Sequence, residues 1–435
     1  IHKNNLENSR PFFSLKDDVV GENYKNKINK VINFLKKNKI NNIFTSAPEN
    51  VAWLLNIRDH DNPNSPIPNC HLLLDVKKNI YLIGKKNKFF YLIKEKKINS
   101  ENVLSYQKFN GLLNSLKKSK ILIDLKSCSI FFEKILKKKF LLVKKDDPIY
   151  LFKSIKNKIE IKNMIDCHIL DGVALTKFLY WIKVKNKKKI TEYQAQKKLE
   201  SFRKMNKNYL FPSFATIAGS GKNGAIVHYR ATKQNIKVIK KNDIFLCDSG
   251  GQYKYGTTDV TRTISFNSPQ KKIKNIFTKV LKGHIAVATS DLNSLKFGKL
   301  IDARARKYLK KDNLDYQHGT GHGVGFFLNV HEGPQSLSKY NNVKILEGMI
   351  LSNEPGYYEN GKFGIRIENL LYVKKIKNKI LFENLTLAPI DKDLIDFKQL
   401  TSNEKNYLFR YHMTVYSELS KYLSKAEKKW LASFI

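Results

Sequence analysis

Four short segments of this chain hold residue types suited to metal chemistry. The first, LCDSGGQYKYGTTDVTRT, carries Asp248 and Asp259 eleven positions apart. Apolar residues precede Asp248 and a β-branched run surrounds Asp259, with Gly250, Gly251 and Gly256 between them. The segment therefore reads as two hairpin strands that bring both carboxylates to one point. Taken alone, such a pair also fits turn residues or surface charges. The second is HGTGHG at 318–323, followed by His331 in NVHEGP. Its glycines let the backbone turn tightly and leave His318 and His322 available as ligands or hydrogen-bond donors. The third segment is SNEPGYY with Glu354; the fourth is FGIRIENL, where a period of two places Arg366 and Glu368 on one face of a strand.

These residues make a coherent chemical set. Asp248, Asp259, Glu354 and Glu368 could not all stay ionised in one pocket without cations, and two divalent metals would neutralise them. Oxygen-rich ligation with one imidazole, His322, suits manganese or another fairly hard ion better than a thiolate-type zinc site. Two such ions can hold a bridging hydroxide and polarise a carbonyl.

The elements that must position this set follow from periodicity. Residues 1–17 read as an extended lead-in. From 18 to 150 helix-like and strand-like pieces alternate: KINKVINFLKKN is amphipathic, NNIFTSA strand-like and NVAWLLNIRD helical, while HLLLDV and NIYLIG look like paired strands. The spacing predicts a long helix over 158–184 with Ile165, Leu170, Val173, Leu175, Phe178 and Trp181 on its apolar face. Thr191 with Gln194, and Thr401 with Glu404, are capping-box signatures for two further helices. Between them FPSFATIAGSG, DIFLCDSGGQY, TTDVTRTISF, ILSNEPGYY and FGIRIENLLYV read as strands, with helices near 271–289 and 297–310. The domain reading is thus a lead-in (1–17), an α/β domain (18–150) and a catalytic domain (151–435).

Length and composition narrow the class. The 435 residues, 42% hydrophobic and 27% charged, exclude a disulfide mini-protein and a disordered chain. Lys and Arg number 80 against 38 Asp and Glu, a net charge of +42. The excess is spread along the chain in Lys/Asn/Ile runs without a basic arm, so it reads as a lysine-padded surface and no specific nucleic-acid partner is expected. Cys70, Cys128, Cys167 and Cys247 have no CxxC spacing, which fits a reducing, cytoplasmic setting. No apolar stretch approaches a membrane span, and no membrane partner is expected. AGSGK at 218–222 lacks the upstream glycine of a phosphate loop and has Asn223 after Lys222. His284, in a helical stretch, reads as packed, and His2, His60, His71, His168 and His412 have no motif context.

In order and context the segments resemble the creatinase and methionine-aminopeptidase superfamily, specifically aminopeptidase P of the long eukaryotic-like type. The resemblance is carried by GAIVHYR, DSGGQYKYGTTDVTRT, VLKGHIAV, LDYQHGTGHGVGFFLNVHEGP, NEPGYYENGKFGIRIEN and LTLAPI, and it covers about 18–435. It implies an α/β (α+β) architecture: a creatinase-like middle-type domain, then a "pita-bread" catalytic domain with a curved antiparallel sheet. It further implies two divalent ions, Asp248 on one only, Asp259 and Glu368 bridging, and His322 and Glu354 on the other. Glu354 matches the proton acceptor and donor, His228 and His331 match substrate-contacting histidines, and His318, Tyr358 and Arg366 match supporting or substrate-side positions.

The implied reaction is removal of the first residue from peptides with proline second, by attack of a metal-bridging hydroxide on the Xaa-Pro carbonyl. Such a bond has no N–H to recognise, so direct polarisation of its carbonyl suits it. A homodimer is also implied. Long members of the family carry a further N-terminal domain, and this chain begins where their middle domain would. A prolidase acting on dipeptides would share every ligand, and an inactive pita-bread binding module is the reading from another class.

Overall fold

The computed structural model describes residues 10–186, 188–234 and 237–435. The first part of the expected lead-in and His2 lie outside them. The chain divides into two compact units, Ile1–Lys153 with Asn157–Glu160, and Ser154–Lys156 with Ile161–Ile435.

In the first unit the amphipathic segment forms helix α1, Tyr24–Lys37, which buries Ile28, Val31, Ile32 and Leu35. Asn23 caps it by accepting from the Lys25 amide. Strand β1 (Asn42–Thr45), helix α2 (Pro48–Leu55) and strands β2 (His71–Asp75) and β3 (Ile80–Ile83) follow as their patterns predict. Strands β4 (Val103–Leu104), β5 (Lys120–Ile123) and β6 (Leu141–Lys144) complete a six-stranded sheet in the order β4-β3-β2-β1-β5-β6. Strands β1, β2 and β3 pair antiparallel, whereas β5 is parallel to β1 and β6. Phe44, Leu73, Ile121, Phe109 and Phe132 form the core on one side. Phe13–Ser14 pairs with Ile57–Arg58.

Helix α3, Lys158–Tyr180, has its first three residues in the first unit and the rest in the second. The helix predicted to reach 184 becomes a wider π turn at Trp181–Lys185. That turn keeps Ile182 buried while Lys183 reaches the buried carboxylate of Asp391 at 2.6 Å. On the predicted apolar face Leu175 and Phe178 are buried, but Ile165 is exposed. Helix α4, Glu192–Lys204, starts at the capping box of Thr191 and Gln194.

Thirteen antiparallel strands in four sheets then build the scaffold of the site. Strands β7 (Tyr209–Pro212), β8 (Ile217–Ser220), β9 (Ile244–Ser249), β10 (Gly251–Tyr253), β11 (Gly256–Thr257) and β12 (Val260–Ser265) make two three-stranded sheets, β8-β9-β12 and β11-β10-β7. Helices α5 (Lys271–Ala288) and α6 (Gly298–Lys310) intervene. Strands β13 (Gly321–Gly323), β14 (Glu332–Leu337), β15 (Ile350–Asn353), β16 (Gly356–Glu359), β17 (Phe363–Arg366), β18 (Asn369–Ile376) and β19 (Lys379–Asn384) form a five-stranded sheet, β14-β13-β15-β18-β19, and the hairpin β16-β17. Helix α7 (Ser402–Leu419), capped by Thr401 and Glu404, packs Leu408, Tyr411 and Val415 with Phe277, Val280 and Leu281 of α5. Helix α8 (Lys425–Ala432) ends the regular structure.

Candidate active site

Asp248 and Asp259 meet because β9 and β12 pair antiparallel, with Asp248 opposite Thr261 and Ser249 opposite Val260. The expected hairpin is present, and the small strands β10 and β11 form an excursion at its end. At the base of that excursion a Cβ on Gly250 would lie 1.9 Å from the Thr258 carbonyl oxygen, so only glycine lets the two chains close there. His322 sits mid-strand in β13. A Cβ on Gly321 would lie 1.9 Å from the Ser352 carbonyl oxygen, which shows how tightly the histidine strand is drawn against β15.

Glu354 follows β15 directly, and its amide donates to the Thr320 carbonyl at 2.8 Å. Glu368 is not on the strand of Arg366, contrary to the period-two reading: β17 ends at Arg366 and β18 begins at Asn369. The turn between them still aims both residues into one cavity, because Glu368 is clamped from behind. Its amide donates to the Thr261 carbonyl at 3.1 Å, its carbonyl accepts from Arg262 at 2.6 Å, and its Oε2 accepts from the Thr261 hydroxyl at 2.8 Å.

A cavity of about 410 Å³ is lined by Asp248, Asp259, His322, Glu354 and Glu368 together with His228, His318, His331 and Arg366. Tyr358 is the one named position that does not line it. Its hydroxyl stands behind the wall, bonded to His318 Nε2 at 2.8 Å and to the Arg366 guanidinium at 2.6 Å. Arg366 also donates to Asp248 Oδ2 at 2.6 Å and to Thr261 Oγ1 at 3.1 Å. The His322 and His331 rings stand edge to face at 4.1 Å.

Burial and mutual repulsion dominate the electrostatics. Asp259 is pushed well above the usual carboxylate range by burial and then by Asp248 and Glu354, and Glu368 by burial and then by Asp259, Glu354 and Asp248. Burial also raises Asp248, although Arg366 pulls it the other way. His331 is lowered to about 4, by burial first and then by His322, so its ring is neutral at working pH. Three donor groups have ligand atoms within 4.8 Å of one another: Asp248, Asp259 and Glu368; His322, Glu354 and Glu368; and Asp259, His322 and His331.

This donor set fits cations. Asp248 Oδ1 is buried without a hydrogen-bond partner among the described residues, a costly state for a carboxylate oxygen unless a cation meets it. His322 Nε2 lies 3.4 Å from both Asp259 Oδ2 and Glu354 Oε1. That is longer than a charge-assisted hydrogen bond and matches the roughly 3.4 Å between two donors about 2.1 Å from a shared tetrahedral ion.

Several positioning residues were not singled out from the sequence. Thr261 lies two positions beyond Asp259, and Ser352 two before Glu354; the Ser352 hydroxyl accepts from the His322 amide at 2.9 Å and donates to Glu354 Oε1 at 3.0 Å. The period-two pattern was the available signal for both. Arg262, whose guanidinium bonds the carbonyls of Glu368, Ala388 and Pro389, gave none, since its partners lie more than a hundred residues away.

Comparison with known proteins identifies the family. Residues 162–375 match metallopeptidase family M24, residues 4–160 the creatinase/prolidase N-terminal domain, and residues 380–433 the C-terminal region of peptidase M24. A probable Xaa-Pro aminopeptidase P of Laccaria bicolor is 38% identical across 95% of this chain and 68% of its own length. One of Coprinopsis cinerea is 37% identical across 97% and 72%. The cytosolic X-prolyl aminopeptidase of Caenorhabditis elegans, with a di-nuclear active site, superposes with a TM-score of 0.88 at 29% identity, covering 98% of this chain and 72% of that one. The prolidase of Pyrococcus furiosus gives 0.64 at 25% identity over 82% and 98%. The chain belongs to metallopeptidase family M24, among its aminopeptidase P members, and carries the pita-bread fold of that family.

Proposed function

We propose that this protein is a dinuclear metal-dependent aminopeptidase that removes the first residue from peptides with proline in the second position. The observation that carries the reading is the convergence of Asp248, Asp259, His322, Glu354 and Glu368 on one cavity. Asp248 would hold one ion, His322 and Glu354 the other, and Asp259 and Glu368 both, an assignment supported by the two donor groups that share Glu368. Bound there, two divalent cations supply a nucleophile usable near neutral pH and polarise the scissile carbonyl.

The chain's own residues do the rest. Ser352 occupies Glu354 Oε1, which leaves Oε2 to accept a proton and return it to the departing proline nitrogen. The neutral His331 ring faces the reacting carbonyl and stabilises charge on its oxygen. His228, which lines the same cavity, contacts the substrate. Arg366 holds Asp248 in place by a charge-assisted bond and is itself braced by Tyr358, which also orients His318.

Oxygen-dominated ligation favours manganese as the native metal. Four buried free cysteines support a reducing, cytoplasmic setting, and the named Caenorhabditis relative is a cytosolic enzyme. No described helix is long and apolar enough to cross a membrane. The family resemblance supports a homodimer, which sedimentation at micromolar concentration tests.

Peptide choice tests the activity. Release of the first residue from Arg-Pro-Pro, with no release from Arg-Ala-Pro, is expected. Cleavage confined to the dipeptide Ala-Pro assigns a prolidase instead, and no cleavage of any of the three returns the inactive binding module.

A further inference from the structure

The reaction above leaves one group that lines the cavity unused. Two arginines line it. Arg366 is 2% exposed and committed to Asp248, Thr261 and Tyr358. Arg230 is exposed and makes no hydrogen bond or ion pair among the described residues. Three of the carboxylates in the cavity are committed to other partners: Asp248 accepts from Arg366, Glu368 from Thr261 and Glu354 from Ser352.

Arg230 is also presented by a rigid support. The adjoining Tyr229 is buried, and its hydroxyl donates to Glu192 Oε2 at 2.7 Å. Glu192 is fully buried and accepts in addition from the Ser220 amide at 2.6 Å and from the Asn223 side chain at 3.0 Å. The Tyr229 amide closes a turn onto the Ile226 carbonyl at 3.0 Å. With Tyr229 fastened inward, His228 and Arg230 on either side of it both line the cavity, Arg230 at its solvent-facing mouth. Phe214 and Ile217 complete an apolar wall beside them.

Resting on the aminopeptidase reading, we propose that Arg230 is a specificity-determining residue that binds a carboxylate on the substrate beyond its proline. An enzyme that removes one residue holds the amino end of the peptide against the carboxylate cluster and lets the remainder run toward the mouth. A tripeptide ends two residues past the scissile bond, about 7 Å of extended chain, so its terminal carboxylate reaches the mouth. A planar guanidinium with no other partner among the described residues takes such an anion bidentately. The same chemistry is offered by an acidic side chain in the third position.

The test compares kcat/KM of the manganese-loaded enzyme on Arg-Pro-Ala as free acid, on its C-terminal amide, and on Arg-Pro-Asp amide. Wild type is expected to favour the free acid over the amide roughly twofold to fivefold, in keeping with a charge-assisted pair at a solvent-facing site. Arg230→Gln should bring that ratio to about one, and Arg230→Lys, which keeps the charge but loses the fork, should fall between. Arg-Pro-Asp amide cleaved like the free acid extends the site to any carboxylate in reach; cleaved like the plain amide, it assigns the site to the chain terminus. A wild-type ratio near one, or a ratio that survives Arg230→Gln, overturns the proposal. Absence of metal-dependent cleavage of even the plain amide overturns the aminopeptidase reading itself, so the two failures are distinct.

Discussion

Replacing Asp259 by Asn tests the electrostatic account in a direction that ordinary packing logic would not suggest. The side chain is buried, 4% exposed, and the substitution keeps its volume while deleting one charge. Its ligand oxygen lies within 4.8 Å of those of Asp248 and Glu368, so at an effective dielectric of about 20 each ionised pair repels by about 3.5 kcal/mol. Protonation relieves part of that strain, leaving a net stabilisation of the metal-free protein of about 2 kcal/mol near pH 8. For a unit of this size the gain corresponds to a melting temperature higher by roughly 4–8 °C.

The sign with pH follows from the raised carboxyls. Their folded pKa exceeds the unfolded one, so their contribution is fully present below the unfolded pKa and is lost as pH rises through the folded value. The advantage of Asp259→Asn should therefore shrink toward pH 5, where the wild-type cluster takes up protons. Manganese reverses the ranking: wild type gains about 2.7 kcal/mol at a hundredfold excess over Kd, and the variant gains little and turns over no peptide. Thermal unfolding of chelated and manganese-loaded protein at pH 5 and pH 8 reads all of this. A metal-free variant less stable than metal-free wild type at pH 8 would refute the reasoning.

Other substitutions probe the surroundings of the cluster. His331→Ala should lower kcat about 100-fold while bound metal, measured by plasma mass spectrometry, stays near wild type; equal loss of both makes His331 a ligand. Lys156→Met removes the fully buried ammonium paired with the Glu332 carboxylate, whose side chain is 2% exposed, and should cost about 3–5 kcal/mol in urea unfolding. Lys156→Met with Glu332→Leu should recover most of that loss. Gly364→Ala would put a Cβ 1.8 Å from the Gly224 carbonyl oxygen and push β17 from the turn that leads to His228. Its kcat/KM should drop at least tenfold, with metal content kept.

What could be read from the sequence was what is local. Asp248, Asp259, His322, Glu354 and Glu368 each sit in an extended motif whose glycines and β-branched neighbours state a turn or a strand, so they could be singled out as candidates before any fold existed. The capping boxes at Thr191 and Thr401 were legible for the same reason, since each is complete within four residues. Glu368 was assigned to the strand of Arg366 because alternation alone does not reveal where a strand yields to a turn; a distant guanidinium, that of Arg262, holds that turn. Tyr358 stands next in chain to Tyr357, and nothing local distinguishes a tyrosine behind the wall from one on it. Arg230 faces the cavity because Tyr229 is fastened to Glu192, thirty-seven residues upstream, a contact that belongs to the tertiary structure.

Stepwise addition of manganese to metal-stripped protein, with release of arginine from Arg-Pro-Pro followed at each step, tests the central claim most directly. The donor arrangement predicts almost no turnover without metal and a plateau at two equivalents per chain. Full turnover in chelator, or a plateau reached at one equivalent, would contradict it.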